Sequence, residues 1–162
     1  MTLALQRGGW VIFVSILVAY MLTVIPLPEW ARLARPEWAA LVLIYWCMAV
    51  PHRVGVVIAW LVGLWQDAVQ STLLGQHALA YALVAYLVLR LHQRIRVYPL
   101  PQQALIVLLL LLLINLIQAW ISGLANQPVP GVAYWLPPLV GTLLWPWVFV
   151  IMRGVRRRFS VQ

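Results

Sequence analysis

Lysine is absent from this 162-residue chain, cysteine occurs once, and only three residues are acidic. The one cysteine, Cys47, lies in an apolar run, which excludes a disulfide framework and cysteine-based metal sites and leaves it a small buried role. The three carboxylates, Glu29, Glu37 and Asp67, form no close pair, and the first two fall in a linker expected to be exposed, with no histidine beside them. A glycine-rich phosphate loop, an HExxH pair and a serine triad are also missing. No enzyme, cofactor or metal centre is expected from such a set. Charged residues make up only 9% of the chain, where a soluble domain carries roughly a quarter.

What fills the space is apolar: 65% of the residues are hydrophobic, which reads as an all-α integral membrane protein in one compact domain, 1–162. Every base is an arginine, and the net charge is +8. The arginines stand between apolar runs rather than on one basic face. They therefore read as topology determinants and contacts for membrane lipid headgroups, and nucleic acid is not an expected partner.

Six apolar segments are expected as helices, roughly 9–25, 36–50, 54–71, 77–91, 103–124 and 132–152, with about 20 residues as the length that crosses a bilayer core. The first is long for a signal-peptide core and lacks a small-x-small cleavage site, so it reads as a retained helix. The second is short, and Trp38 and Trp46 suit a partly buried place at an interface. With the N-terminus inside, nine arginines lie on the inner side and only Arg32 and Arg35 outside. That bias predicts six spans with both termini cytoplasmic, ending in a basic tail, 153–162. The linker 27–37 has the composition of a short amphipathic turn on the outer surface.

The stretch Gly63 to Tyr81, GLWQDAVQSTLLGQHALAY, holds the one acid inside an apolar segment. Gly55, Ala59, Gly63, Asp67 and Ser71 recur every four residues, and small side chains at that spacing let a neighbouring helix approach closely. Two readings of Asp67 stand side by side: a functional carboxylate in the membrane, or one near the interface bonded to the backbone of the following turn. A proton relay is disfavoured, because only Asp67 and His77 are candidates and both lie toward one side. Gly75 permits a positive-φ turn before the fourth helix, and His77 reads as an interfacial hydrogen-bonding group rather than a metal ligand. On the fifth helix Asn115, Gln118 and Ser122 form a polar stripe, suited to bonds across to a neighbour or to lining a pocket. Ser15, Ala19 and Thr23 form a further small-residue face, for packing within the bundle or against another chain. Pro137, Pro138 and Pro146 predict that the sixth helix bends or begins late.

The runs RPEWAALVLIYWCMAVPHRVGV (35–56), GLWQDAVQSTLLGQHALAYALVAYL (63–87), PQQALIVLLL (101–110) and LLWPWVFVIMRGVRRRF (143–159) give the chain a further signature. With the PHRV run and the spaced Asp67, Leu74, Gly75, Ala78 and Leu79, it resembles the rod shape-determining protein MreD family over essentially its whole length. The resemblance implies a non-enzymatic subunit of the bacterial cell-elongation machinery in the inner membrane. It would work beside the scaffold MreC and, less directly, the actin-like MreB, the glycosyltransferase RodA and its partner transpeptidase. It also implies a fold similar to the six-helix substrate-binding components of energy-coupling-factor transporters. The rival expectation is a module capturing a small molecule or lipid headgroup between helices, with Asp67, Asn115 and Gln118 in its lining.

Overall fold

The computed structural model describes residues 9–26, 28, 35–51, 54–70, 75–126, 131 and 135–158. Among these, six α-helices carry all the regular structure: α1 (Gly9–Val24), α2 (Trp38–Ala49), α3 (Val56–Gln70), α4 (Gln76–Val97), α5 (Leu100–Leu124) and α6 (Leu136–Arg158). Number and order match the expected segments. Most of the 27–37 linker, Ser71 and Leu74, and residues 159–162 of the expected tail lie outside the described residues.

The C-terminal ends of α4 and α6 differ most from expectation, while α5 starts three residues early, at Leu100, and α6 four residues late, at Leu136. α4 continues six residues past 91 and carries Arg94 and Arg96 in its last turn. α6 continues through Arg158, so the stretch expected as a tail from 153 is helical over its first part. The cause is the same in both. Arginine is a good helix former, and positive charge in a last turn complements the partial negative charge of the helix end. Basic composition marks where apolar character stops, not where the helix stops.

The core is built around α2. Its sequence, WAALVLIYWCMA, has no polar face, and Ala39 to Ala49 are all buried. A helix that is apolar all round belongs inside a bundle, and α2 packs against each of the other five. Its expected place at an interface is therefore corrected. Trp46 is fully buried and donates its indole N–H to Ser15 Oγ at 2.8 Å, the partner that a buried tryptophan needs. Ser15 and the buried Ala19 thus serve packing inside the bundle, between α1 and α2. In the last turn of α2, Arg96 of α4 donates to the carbonyls of Met48 and Ala49, covering acceptors that a helix C-terminus leaves open.

The outward faces are apolar too. Phe13, Met21, Trp60, Trp65, Leu109, Trp120, Leu143 and Trp147 are all exposed. Apolar surface of this extent exceeds what soluble monomers present. α5 and α6, with 25 and 23 residues, are long and apolar enough to cross a membrane. α1, α2 and α3 are shorter apolar helices of 16, 12 and 15 residues.

Candidate functional site

The site begins with a place where two backbones touch. On α3, Gly63 faces the first turn of α4, and a Cβ there would lie 2.6 Å from the Ala78 nitrogen and 2.6 Å from the His77 carbonyl oxygen. Only glycine fits such a crossing. Ala59, fully buried one turn earlier, extends the same face. Gly55 does not. It precedes α3, its carbonyl accepts from the Ala59 N–H at 3.0 Å, and a Cβ there would meet nothing within 4 Å. The four-residue row therefore packs from Ala59 onward, and Gly55 belongs to the entry of the helix.

One turn beyond Gly63, α3 delivers Asp67 to the start of α4. Its Oδ2 accepts from the Gly75 N–H at 2.9 Å and its Oδ1 from the His77 N–H at 2.9 Å; the Ala78 nitrogen stands 3.4 Å from Oδ2. These are donors that the first turn of a helix cannot satisfy internally. The N-cap residue, Gly75, has φ +98° and no side chain to offer. Asp67 supplies from a neighbouring helix the carboxylate that an N-cap residue would otherwise provide, and its negative charge sits at the positive end of the α4 dipole. That explains how a fully buried acid persists in an apolar bundle.

A row of titratable groups continues from it. His77 Nδ1 lies 2.7 Å from Asp67 Oδ1, a spacing that puts the proton on Nδ1 when Asp67 is ionised. On the far side of the ring, Nε2 is 4.0 Å from Glu37 Oε1, and Tyr81 donates its hydroxyl to Glu37 Oε2 at 3.2 Å. The His77 and Tyr81 rings meet edge to face, their centroids 5.7 Å apart. The side chain of Glu37 is only 16% exposed. Two sequence expectations fall here. Glu37 does not lie in an exposed loop away from any histidine, and Asp67 and His77 are not the only titratable groups in file. Glu37 directly precedes α2, whose burial carries the carboxylate down beside the start of α4. Separations of 30 and 40 residues left no local signal of that meeting.

Around the row the ends of the helices are tied together. Tyr20 of α1 donates its hydroxyl to the Val62 carbonyl of α3, and the Arg35 guanidinium donates to the carbonyls of Thr23 and Ile25. On the other flank, the Gln76 amide donates to the Gln118 carbonyl at 2.9 Å and to Ser122 Oγ at 3.0 Å, joining α4 to the polar stripe of α5. Asn115 is buried on the same stripe. The polar residues foreseen on three separate segments are thus gathered at one end, opposite the arginines of α4 and α6. The row is linear rather than convergent, and among the described residues no three His, Cys, Asp or Glu side chains surround a point where a metal ion would sit. Its chemistry is hydrogen bonding, between His77 and Asp67 and from Tyr81 to Glu37.

Gln66 is fully buried beside Asp67 on α3, and neither of its amide atoms has a hydrogen-bond partner among the described residues. An unsatisfied buried polar group costs about 1–3 kcal/mol, and an apolar residue of similar shape removes that cost. Gln66→Leu is therefore expected to raise the midpoint of thermal unfolding in detergent. A clear fall would show that the amide holds a group essential to the fold.

Comparison with known proteins follows the same lines. The family model described as rod shape-determining protein MreD matches residues 6–155. Over 145 residues the chain is 31% identical to the Rod shape-determining protein MreD of Haemophilus influenzae, a match covering 90% of each chain. No solved structure matches the chain, and the expected likeness to energy-coupling-factor components gains no support there.

Proposed function

The chain belongs to the rod shape-determining MreD family, and on that premise we propose that it is a non-enzymatic inner-membrane subunit of the cell-elongation complex. It binds MreC and through it helps to organise peptidoglycan synthesis, with MreB, RodA and the partner transpeptidase as less direct neighbours. All six helices cross the membrane, and both termini face the cytoplasm. The arginine bias supports this orientation: Arg90, Arg94, Arg96 and Arg153 to Arg158 fall at one end, and the row from Asp67 to Glu37 falls at the other.

One observation carries the proposal toward a surface. A buried acid, a histidine and a second, partly open acid are fixed to the start of α4 at the outer end, where a periplasmic scaffold anchored in the same membrane can reach them. Ionisable groups so placed call for a functional reason. Capture of a small molecule at Asp67, Asn115 and Gln118 is less well supported. Asp67 is committed to the α4 backbone, and the two surface grooves that flank α1 include none of the three. Co-purification with the MreC of the same organism tests the reading. Glu37→Gln is expected to lower MreC recovery several-fold at equal abundance in the membrane, and Arg96→Gln at the other end to leave it unchanged. Full recovery with Glu37→Gln would remove the outer end from the interface.

A further inference from the structure

α1 and α6 do not close on each other. Between them runs an open groove with a volume of about 380 Å³, within the range of ligand sites. Val14 and Val18 of α1 form one wall, Ile151 and Val155 of α6 the other, and Trp38 and Val42 of α2 the floor. Its hydroxyl-bearing member, Ser15, is already engaged with Trp46 and with the Ile12 carbonyl. The lining asks for nothing but hydrocarbon.

We infer that this groove seats one acyl chain of an anionic phospholipid whose phosphate rests on the arginines at the end of α6. Charge points to the headgroup. On α6 the groove face recurs at Val148, Ile151, Met152 and Val155, and Arg158 follows Val155 at i+3, one turn past the end of the groove and at the edge of its face. Arg156 and Arg157 share its turn. The described acids, Glu37 and Asp67, lie at the opposite end, so nothing acidic among the described residues competes for the arginines.

Length selects a lipid over a partner helix. The groove extends about 18 Å along α1, from Trp10 to Leu22, but only about 10 Å along α6, from Val148 to Val155, at 1.5 Å per residue. These lengths bracket one leaflet of a hydrocarbon core about 30 Å thick, whereas a spanning helix needs contact over the whole depth. Arginine beside an apolar groove at that level attracts anionic headgroups. The inference rests on the membrane placement proposed above and is independent of the partners.

Native mass spectrometry of the chain, released from nanodiscs holding equal phosphatidylglycerol and phosphatidylethanolamine, provides the test. One phosphatidylglycerol is expected to stay bound, enriched at least several-fold over phosphatidylethanolamine. Arg158→Gln should reduce its retention about tenfold, and Val18→Trp, which fills the groove and leaves the headgroup site alone, should displace it as well. Arg94→Gln, at the same end but on α4, should leave it in place. Equal retention of the two lipids, or full retention of phosphatidylglycerol in both groove variants, would overturn the inference. Release of the chain from membranes by alkaline carbonate would instead overturn the membrane placement, a failure readily told apart.

Discussion

Asp67→Ala is expected to destabilise the folded bundle by about 3–5 kcal/mol, the range for removing one member of a buried, hydrogen-bonded charge cluster. The loss has several parts that act together. The N–H groups of Gly75 and His77 lose their acceptor inside an apolar bundle, and His77 Nδ1 loses its partner at 2.7 Å. The α4 dipole also loses a negative charge at its positive end. Asp67→Asn keeps one acceptor oxygen and turns an amide donor toward these donors, so it should recover only part of the loss. Unfolding of the purified chain in detergent measures both. The order wild type, Asn, Ala is the expected result, and an alanine variant within about 1 kcal/mol of wild type would show that water caps α4 equally well.

Gly63→Ala is expected to be comparably damaging for a different reason. Adding a methylene to a tight core costs about 1–3 kcal/mol when side chains can shift. Here the added atom meets the backbone of Ala78 and the carbonyl of His77, which no rotamer change can move. α3 and α4 must separate, and Asp67 then withdraws from the donors it caps. The cost should lie at or above the upper end of that range. Gly55→Ala is the internal control, since open space surrounds that position and the variant should be neutral or stabilising by up to about 1 kcal/mol. Equal unfolding midpoints for the two variants would contradict the close crossing.

The parts of this structure that were legible in the sequence were those written locally. Apolar runs between arginines located all six helices. The spacing of Ala59, Gly63 and Asp67 marked the face that α3 buries, and Gly75 marked a positive-φ turn. Gln76 does bond across to the polar stripe of α5, though at the Gln118 backbone carbonyl and the Ser122 hydroxyl rather than at a stripe amide. The tryptophans of α2 suggest an interface, but the lack of any polar face marks it as a core helix. Glu37 was missed for a deeper reason. Its partners, His77 and Tyr81, are 40 and 44 residues away, and only the packing of α2 against α4 brings them together. Gln66 stands three residues after Gly63 and seven after Ala59, so helical spacing already places it on the buried face, beside the more conspicuous Asp67.

These observations make one claim. The crossing of α3 and α4 at Gly63, locked by Asp67, holds a polar row at one end of the bundle, and the proposed function rests the chain's part in rod shape on that row. The most direct measurement is cell shape in a rod-shaped host whose own gene is replaced by variants, with abundance in the membrane matched. The account predicts rounded or widened cells with Glu37→Gln, which disturbs the row without touching the α4 cap, and normal rods with Arg96→Gln. Normal rods with Glu37→Gln at full abundance would contradict it.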